Sequence, residues 1–73
     1  MDNRYKIIFG MLRVVRKEVG KQRLYYMSLL EILEEASKHF DLSWVAFALR
    51  GNDGLRIYNI ARSNLFKMGK DND

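Results

Sequence analysis

The sequence predicts a small α+β domain in the order helix–strand–helix–β-hairpin, and three observations carry that prediction. Residues 3–19 repeat apolar side chains at helical spacing, Ser28-Leu29-Leu30-Glu31 has the form of a helix-capping box, and Gly51-Asn52-Asp53-Gly54 separates two short apolar runs as a turn would. The chain has 73 residues, 48% of them hydrophobic, which suffices for one compact domain and is too short for two. We assign it to residues 1–68, with 69–73 as a polar, flexible tail.

In the first helix, Tyr5, Ile8, Phe9, Leu12, Val15 and Val19 share one face, with Asp2 or Asn3 able to cap the start and Gly20 suited to the residue just past the end. Ile7, Met11 and Val14 widen the apolar stripe and predict burial on more than one side. Ile7, Ile8, Gly10, Val14 and Val15 are weak helix formers, so packing rather than propensity must hold this segment.

The second helix begins at residue 29. The Ser28 oxygen and the Glu31 carboxylate can each accept from a backbone N–H left unpaired at its start, and Met27 and Ile32 fall where a hydrophobic staple packs. The pattern carries it to about Phe40, with Leu29, Leu33, Ala36 and Phe40 inward and a Glu34–Lys38 pair in the favourable i, i+4 order outside. A capping Ser28 makes the preceding residues 23–27 extended, and Tyr25 and Tyr26 there suit a short strand. Residues 44–50 and 55–60 then read as a hairpin, with Val45, Phe47 and Leu49 on one face and Gly54 supplying a positive φ in the turn. Residues 62–67 fit a short C-terminal helical segment.

An all-α bundle of three to four helices, with a helix-turn-helix-like middle, competes with this reading. Residues 43–50 also fit a short buried helix, and Leu55, Tyr58, Ala61 or Arg62, and Leu65 fit a helical period with Asp53 as cap and Gly69 as stop. The α+β order resembles the winged helix-turn-helix plan in outline, but Asp41, Leu42 and Ser43 alone leave no room for a recognition helix before the hairpin.

Composition excludes several function classes. The chain has no cysteine, so disulfides, thiolate metal sites and cysteine nucleophiles are absent together. A domain this small and without cross-links is marginally stable alone, which makes a homodimer the expected remedy. The apolar runs at 7–12 and 44–49 are shorter than a signal-peptide core or a membrane span, so a cytoplasmic location without integral membrane association is expected. His39 is the one histidine, without a recognisable partner set for catalysis, and the glutamates of the second helix lack another element to close a metal site around them. The expectation is therefore a protein that is not an enzyme and needs no cofactor or metal.

Charge is divided along the chain. Net charge is +4 overall, with +5 over residues 1–23, −3 over 24–41 and +2 over the rest. Arg13, Arg16, Lys17, Lys21 and Arg23 cluster at the end of the first helix, and Arg50 and Arg56 flank the turn of the expected hairpin. Lys and Arg clusters of this kind neutralise phosphates, so these seven residues are the candidate contacts of a small regulatory nucleic-acid-binding module. The alternative is a protein-interaction or inhibitor module working through the apolar faces of helix and sheet. A membrane-surface helix at residues 3–19 is a third reading.

Overall fold

The computed structural model describes residues 3–69 and is helical throughout, with no strand among the described residues. Five helices follow one another: α1 (Asn3–Val19), α2 (Lys21–Tyr26), α3 (Leu29–Ala36), α4 (Leu42–Ala48) and α5 (Gly51–Gly69). The α+β reading is thereby overturned and its all-α competitor fits, with five helices instead of three or four. The expected flexible tail and Asp2, one of the two candidate caps of α1, lie outside the described residues except for Gly69, the last residue of α5. Asn3, the other candidate, is itself the first helical residue.

α1 is the hub. It packs against each of the other four helices, and its longest seam is with α5. This explains the broad apolar stripe: Ile8, Met11, Leu12 and Val15 are buried, while Ile7 and Val14 are half-buried on the flank. The core is completed by Leu24 and Met27, Ile32 and Ala36, Val45 and Ala48, and Tyr58, Ala61 and Leu65. Every helix contributes to a single cluster.

The first misassigned segment is 23–27. Gly20, at φ 92°, closes α1 by donating to the Arg16 carbonyl (2.8 Å), yet its own carbonyl accepts from the Leu24 amide (3.0 Å), and the chain re-enters a helix at once. Extended backbone precedes the Ser28 cap only at Met27, φ −79° and ψ 140°. A cap needs one or two extended residues, not a strand.

The capping box itself is present as expected. The Ser28 amide donates to Glu31 Oε1 (2.8 Å) and the Glu31 amide to Ser28 Oγ (3.2 Å), with Met27 and Ile32 both buried beside it. α3 ends earlier than its pattern suggested, at Ala36, and residues 37–40 form a turn in which the His39 and Phe40 amides both donate to the Ala36 carbonyl. With the last turn altered, Lys38 pairs with Glu35 (3.3 Å) and not with Glu34.

The expected hairpin is two helices. Asp41 caps α4, its Oδ1 accepting from the Ser43 amide at 2.9 Å. The residues turned inward along α4 and its C-cap are Leu42, Val45, Ala48 and Leu49, an i, i+3, i+6, i+7 set, whereas alternation would have buried Phe47, which is 54% exposed. Gly51 (φ 71°) turns the corner into α5, and the Gly54 amide donates to the Arg50 carbonyl (3.2 Å). Gly54 is thus a buried helical residue, not a turn residue. A Cβ there would lie 2.7 Å from Leu49 Cα and closer still to the Leu49 carbonyl group, so glycine permits the tight approach of α5 to the end of α4. The 62–67 segment is the last part of α5, whose Tyr58, Ala61 and Leu65 follow the helical period while Leu55 is exposed.

Two arginines of the long helices stitch the short ones down. Arg4 of α1 donates from Nε to the Ala48 carbonyl (3.2 Å) and from Nη2 to the Arg50 carbonyl (2.6 Å) at the end of α4. Arg62 of α5 donates from Nη2 to the carbonyls of Leu24 (3.2 Å) and Tyr25 (2.7 Å) at the end of α2. Both place a cation where a helix leaves carbonyls unpaired and its dipole is negative. No helix among the described residues is long and apolar enough to cross a membrane.

Candidate nucleic-acid interface

The core-facing stripe of α1 leaves the opposite side to Lys6, Gly10, Arg13 and Lys17, which at i, i+4, i+7 and i+11 form one line along the helix, all exposed. Every ionisable residue on that line is basic. Arg16 lies to the side of it and is half-buried. Past the Gly20 break the basic sequence resumes with Lys21, half-buried, and Arg23, exposed. Arg23 acts on the Glu31 carboxylate, whose pKa is lowered first by the Ser28 hydrogen bonds and then by this nearby cation.

Arg50 and Arg56 do not join this surface. With no hairpin there is no tip for them to flank. The Arg50 backbone is held by Arg4, so it sits at the first turn of α1, and Arg13 and Lys17 lie roughly 14–20 Å further along that axis at about 1.5 Å per residue. The Arg50 guanidinium rests over Phe47 (5.9 Å to the ring centroid), and Arg56 lies 3.9 Å from Asp53. The seven candidate residues thus divide into Arg13, Arg16, Lys17, Lys21 and Arg23 along α1 and α2, Arg50 at the other end of α1, and Arg56 beside Asp53 on α5.

The fold adds Lys6 to the basic row and Phe66 to the setting of the two tyrosines. Lys6 continues the α1 line. Tyr25 (60% exposed) and Tyr26 (77% exposed) stand at the end of α2 beside Phe66 of α5, with Lys21 and Lys67 at the margins. Tyr25 is nearly perpendicular to both Tyr26 (centroids 5.2 Å apart) and Phe66 (5.4 Å), and Arg62 covers the Phe66 ring at 5.4 Å. The tyrosines were visible in sequence as a dipeptide suited to a short strand. Their actual setting depends on α5 and had no local signal.

A second surface lies between α1 and α4. Ile7, Gly10, Met11 and Val14 on one side and Phe40, Trp44 and Val45 on the other line a groove of about 550 Å³, with Lys6 and Asp41 at its rim. Trp44 is 67% exposed at its edge, and Phe47 lies beyond it. A Cβ on Gly10 would meet no atom within 4 Å, so the α1 wall is open there.

The second element that a metal site on α3 lacked is supplied by α1. Ligand atoms of Glu18, Glu35 and His39 lie within 4.8 Å of one another, with His39 Nε2 3.9 Å from Glu18 Oε1. Glu35 is already paired with Lys38, and His39 and Glu18 are exposed, so the group is a surface contact between α1 and the end of α3. Asp41, like Glu31, has its pKa lowered by a capping role, here through hydrogen bonds from Ser43. No family model, curated protein or solved structure matches this chain.

Proposed function

We propose that this domain is a small, non-enzymatic regulatory module that binds nucleic acid through α1 and α2, with Arg13, Lys17 and Lys21 as its principal phosphate contacts. One observation carries the reading: the solvent face of α1 is a line of Lys6, Arg13 and Lys17 broken only by Gly10. An extended, single-sign row matches a backbone of regularly spaced phosphates, and cations placed this way bind by releasing condensed counterions. Such binding is strong at low salt and indifferent to sequence.

The test is anisotropy of labelled oligonucleotides titrated with the domain across a series of salt concentrations. Affinity falls with salt, and replacing Arg13 and Lys17 by Glu abolishes binding while far-UV circular dichroism stays helical. Each phosphate contact removed by a neutral substitution lowers the slope of log K against log salt by about 0.7–0.9. Unchanged binding by the charge-reversed protein overturns the reading.

The groove between α1 and α4 favours a second reading, in which the domain associates with a copy of itself. The exposed Trp44 stands beside a cleft able to receive a ring, and the rim bears one basic and one acidic group, Lys6 and Asp41, which a two-fold axis would bring into reciprocal pairs. Solution molar mass decides it. A dimer that becomes a monomer on Trp44→Ala supports self-association, and a monomer at all concentrations removes it.

A further inference from the structure

We infer that the nucleic acid bound is single-stranded and that Tyr25 separates two adjacent base-binding clefts. This rests on the nucleic-acid reading above and adds the class of ligand.

Tyr25 belongs to two shallow depressions at once. One, of about 570 Å³, lies over the edge-to-face pair of Tyr25 and Phe66 and carries Asn59, Arg62, Ser63 and Lys67. The other, of about 340 Å³, lies among Tyr25, Tyr26 and Phe66 and carries Lys21 and Gln22. Each therefore combines aromatic walls with an amide able to meet a base edge and one lysine able to meet a phosphate. Unpaired bases stack on such rings whatever their identity, because every base has a π-face, and the adjoining cations follow the backbone. Bases inside a duplex cannot reach them.

The platform is held in place before any ligand arrives. Arg62 is engaged with the carbonyls of Leu24 and Tyr25, and Tyr25 packs edge-to-face with Phe66, so the backbone that carries the tyrosines is tied to α5. Less ordering then remains to oppose binding. A purely apolar partner would leave Lys21 and Lys67 unanswered, which favours a polyanion with exposed rings over an apolar peptide.

The experiment compares a mixed-sequence 12-mer as single strand and as duplex, and vesicles containing anionic phosphatidylserine, against the intact chain, three tyrosine variants and the protein with Arg13 and Lys17 reversed to Glu. Expected is tighter binding of the single strand than of the duplex. Tyr26→Ala, at a side chain exposed enough to spare the fold, and Tyr25→Ala each weaken the single strand about ten-fold and leave the duplex unchanged, while Tyr25→Phe retains binding. Retained single-strand affinity in a folded Tyr26→Ala protein, together with loss on reversing Arg13 and Lys17, would overturn the clefts and keep the phosphate reading. Failure of the unaltered chain to bind any oligonucleotide at low salt overturns both, and binding of vesicles alone reassigns the tyrosines and lysines to a membrane surface.

Discussion

α2 and α4 are both helices of six or seven residues, too short to stand alone in water, and each ends under an arginine from a long helix. They are otherwise held by different means. α4 starts at a side-chain cap from Asp41 and buries Val45 and Ala48, so local hydrogen bonding and packing both support it. α2 starts at Gly20 with no side-chain cap and buries only Leu24, so it depends on continuity with α1 and on Arg62. The surfaces differ accordingly. Beside α4 the exposed aromatics Trp44 and Phe47 adjoin an apolar groove, whereas beside α2 the exposed tyrosines adjoin lysines. The same element, fastened differently, presents exposed aromatics beside an apolar groove on one side and beside lysines on the other.

The contrast can be broken from the shared hub. Leu12→Ala on α1 removes a fully buried side chain from the one helix that all others pack against, and it is expected to cost about 2–5 kcal/mol and to unfold both short helices together. Thermal melts followed at two wavelengths, for helix content and for Trp44 near α4, check that they are lost in one transition. Separate transitions would show that the two sides are independent units.

Gly54→Ala strikes the α4 side alone. The added methyl meets Leu49 backbone, which cannot rotate away as a side chain could, so a loss of about 1–3 kcal/mol is expected. Denaturant unfolding measures it. A neutral or stabilising result would mean that α5 can shift away from α4 at little cost. The two arginines sharpen the comparison further: Arg62→Ala removes hydrogen bonds from a charged donor, each worth about 1.5–3 kcal/mol when made, and hydrogen exchange should show α2 losing protection. Arg4→Ala leaves α4 its Asp41 cap and buried face, so exchange there should quicken only near Ala48 and Arg50. Equal loosening of the two helices would refute the distinction.

The caps produce the smallest effects. Ser28→Ala is expected to cost about 1 kcal/mol, and Asp41→Ala to destabilise in the same direction. Acid acts on the same groups. Both carboxyls have folded pKa values below their ordinary 4.5 and 3.8, so the stability they contribute is complete above those ordinary values and is lost as pH falls through the lowered ones. Melting temperature between pH 5 and pH 2 should fall less steeply in a protein carrying Glu31→Gln and Asp41→Asn, because its caps no longer titrate. Identical slopes would place the acid sensitivity elsewhere.

Much of the candidate site was legible from residue order. Arg13 and Lys17 fall four apart on α1, opposite its buried stripe, and periodicity alone puts them in solvent. Arg50 and Arg56 were grouped with them through a turn that does not exist, and Arg4 and Arg62, whose charges look like ordinary surface cations in the sequence, are the ones that act on the backbone. A side chain that pairs with a carbonyl tens of residues away leaves no periodic trace.

What the sequence determined by itself is the extent of α1, its wide buried stripe, the interruption at Gly20 and the start of α3 at the Ser28 capping box. These are readable from hydrogen bonds and side-chain spacing within one or two turns, although packing is what holds α1 together. Residues 62–67 were expected to be helical, and only the tertiary structure decided that residues 21–26, 42–48 and 51–61 are helical as well. Val45, Phe47 and Leu49 satisfy an alternating pattern as well as Leu42, Val45 and Ala48 satisfy a helical one, and the choice turns on which set meets an apolar surface. α1 provides that surface on the side of Val45 and Ala48. Gly54 likewise serves equally well in a turn or a helix until Leu49 comes within contact distance, because the freedom of glycine has no preferred use without a neighbour to require it.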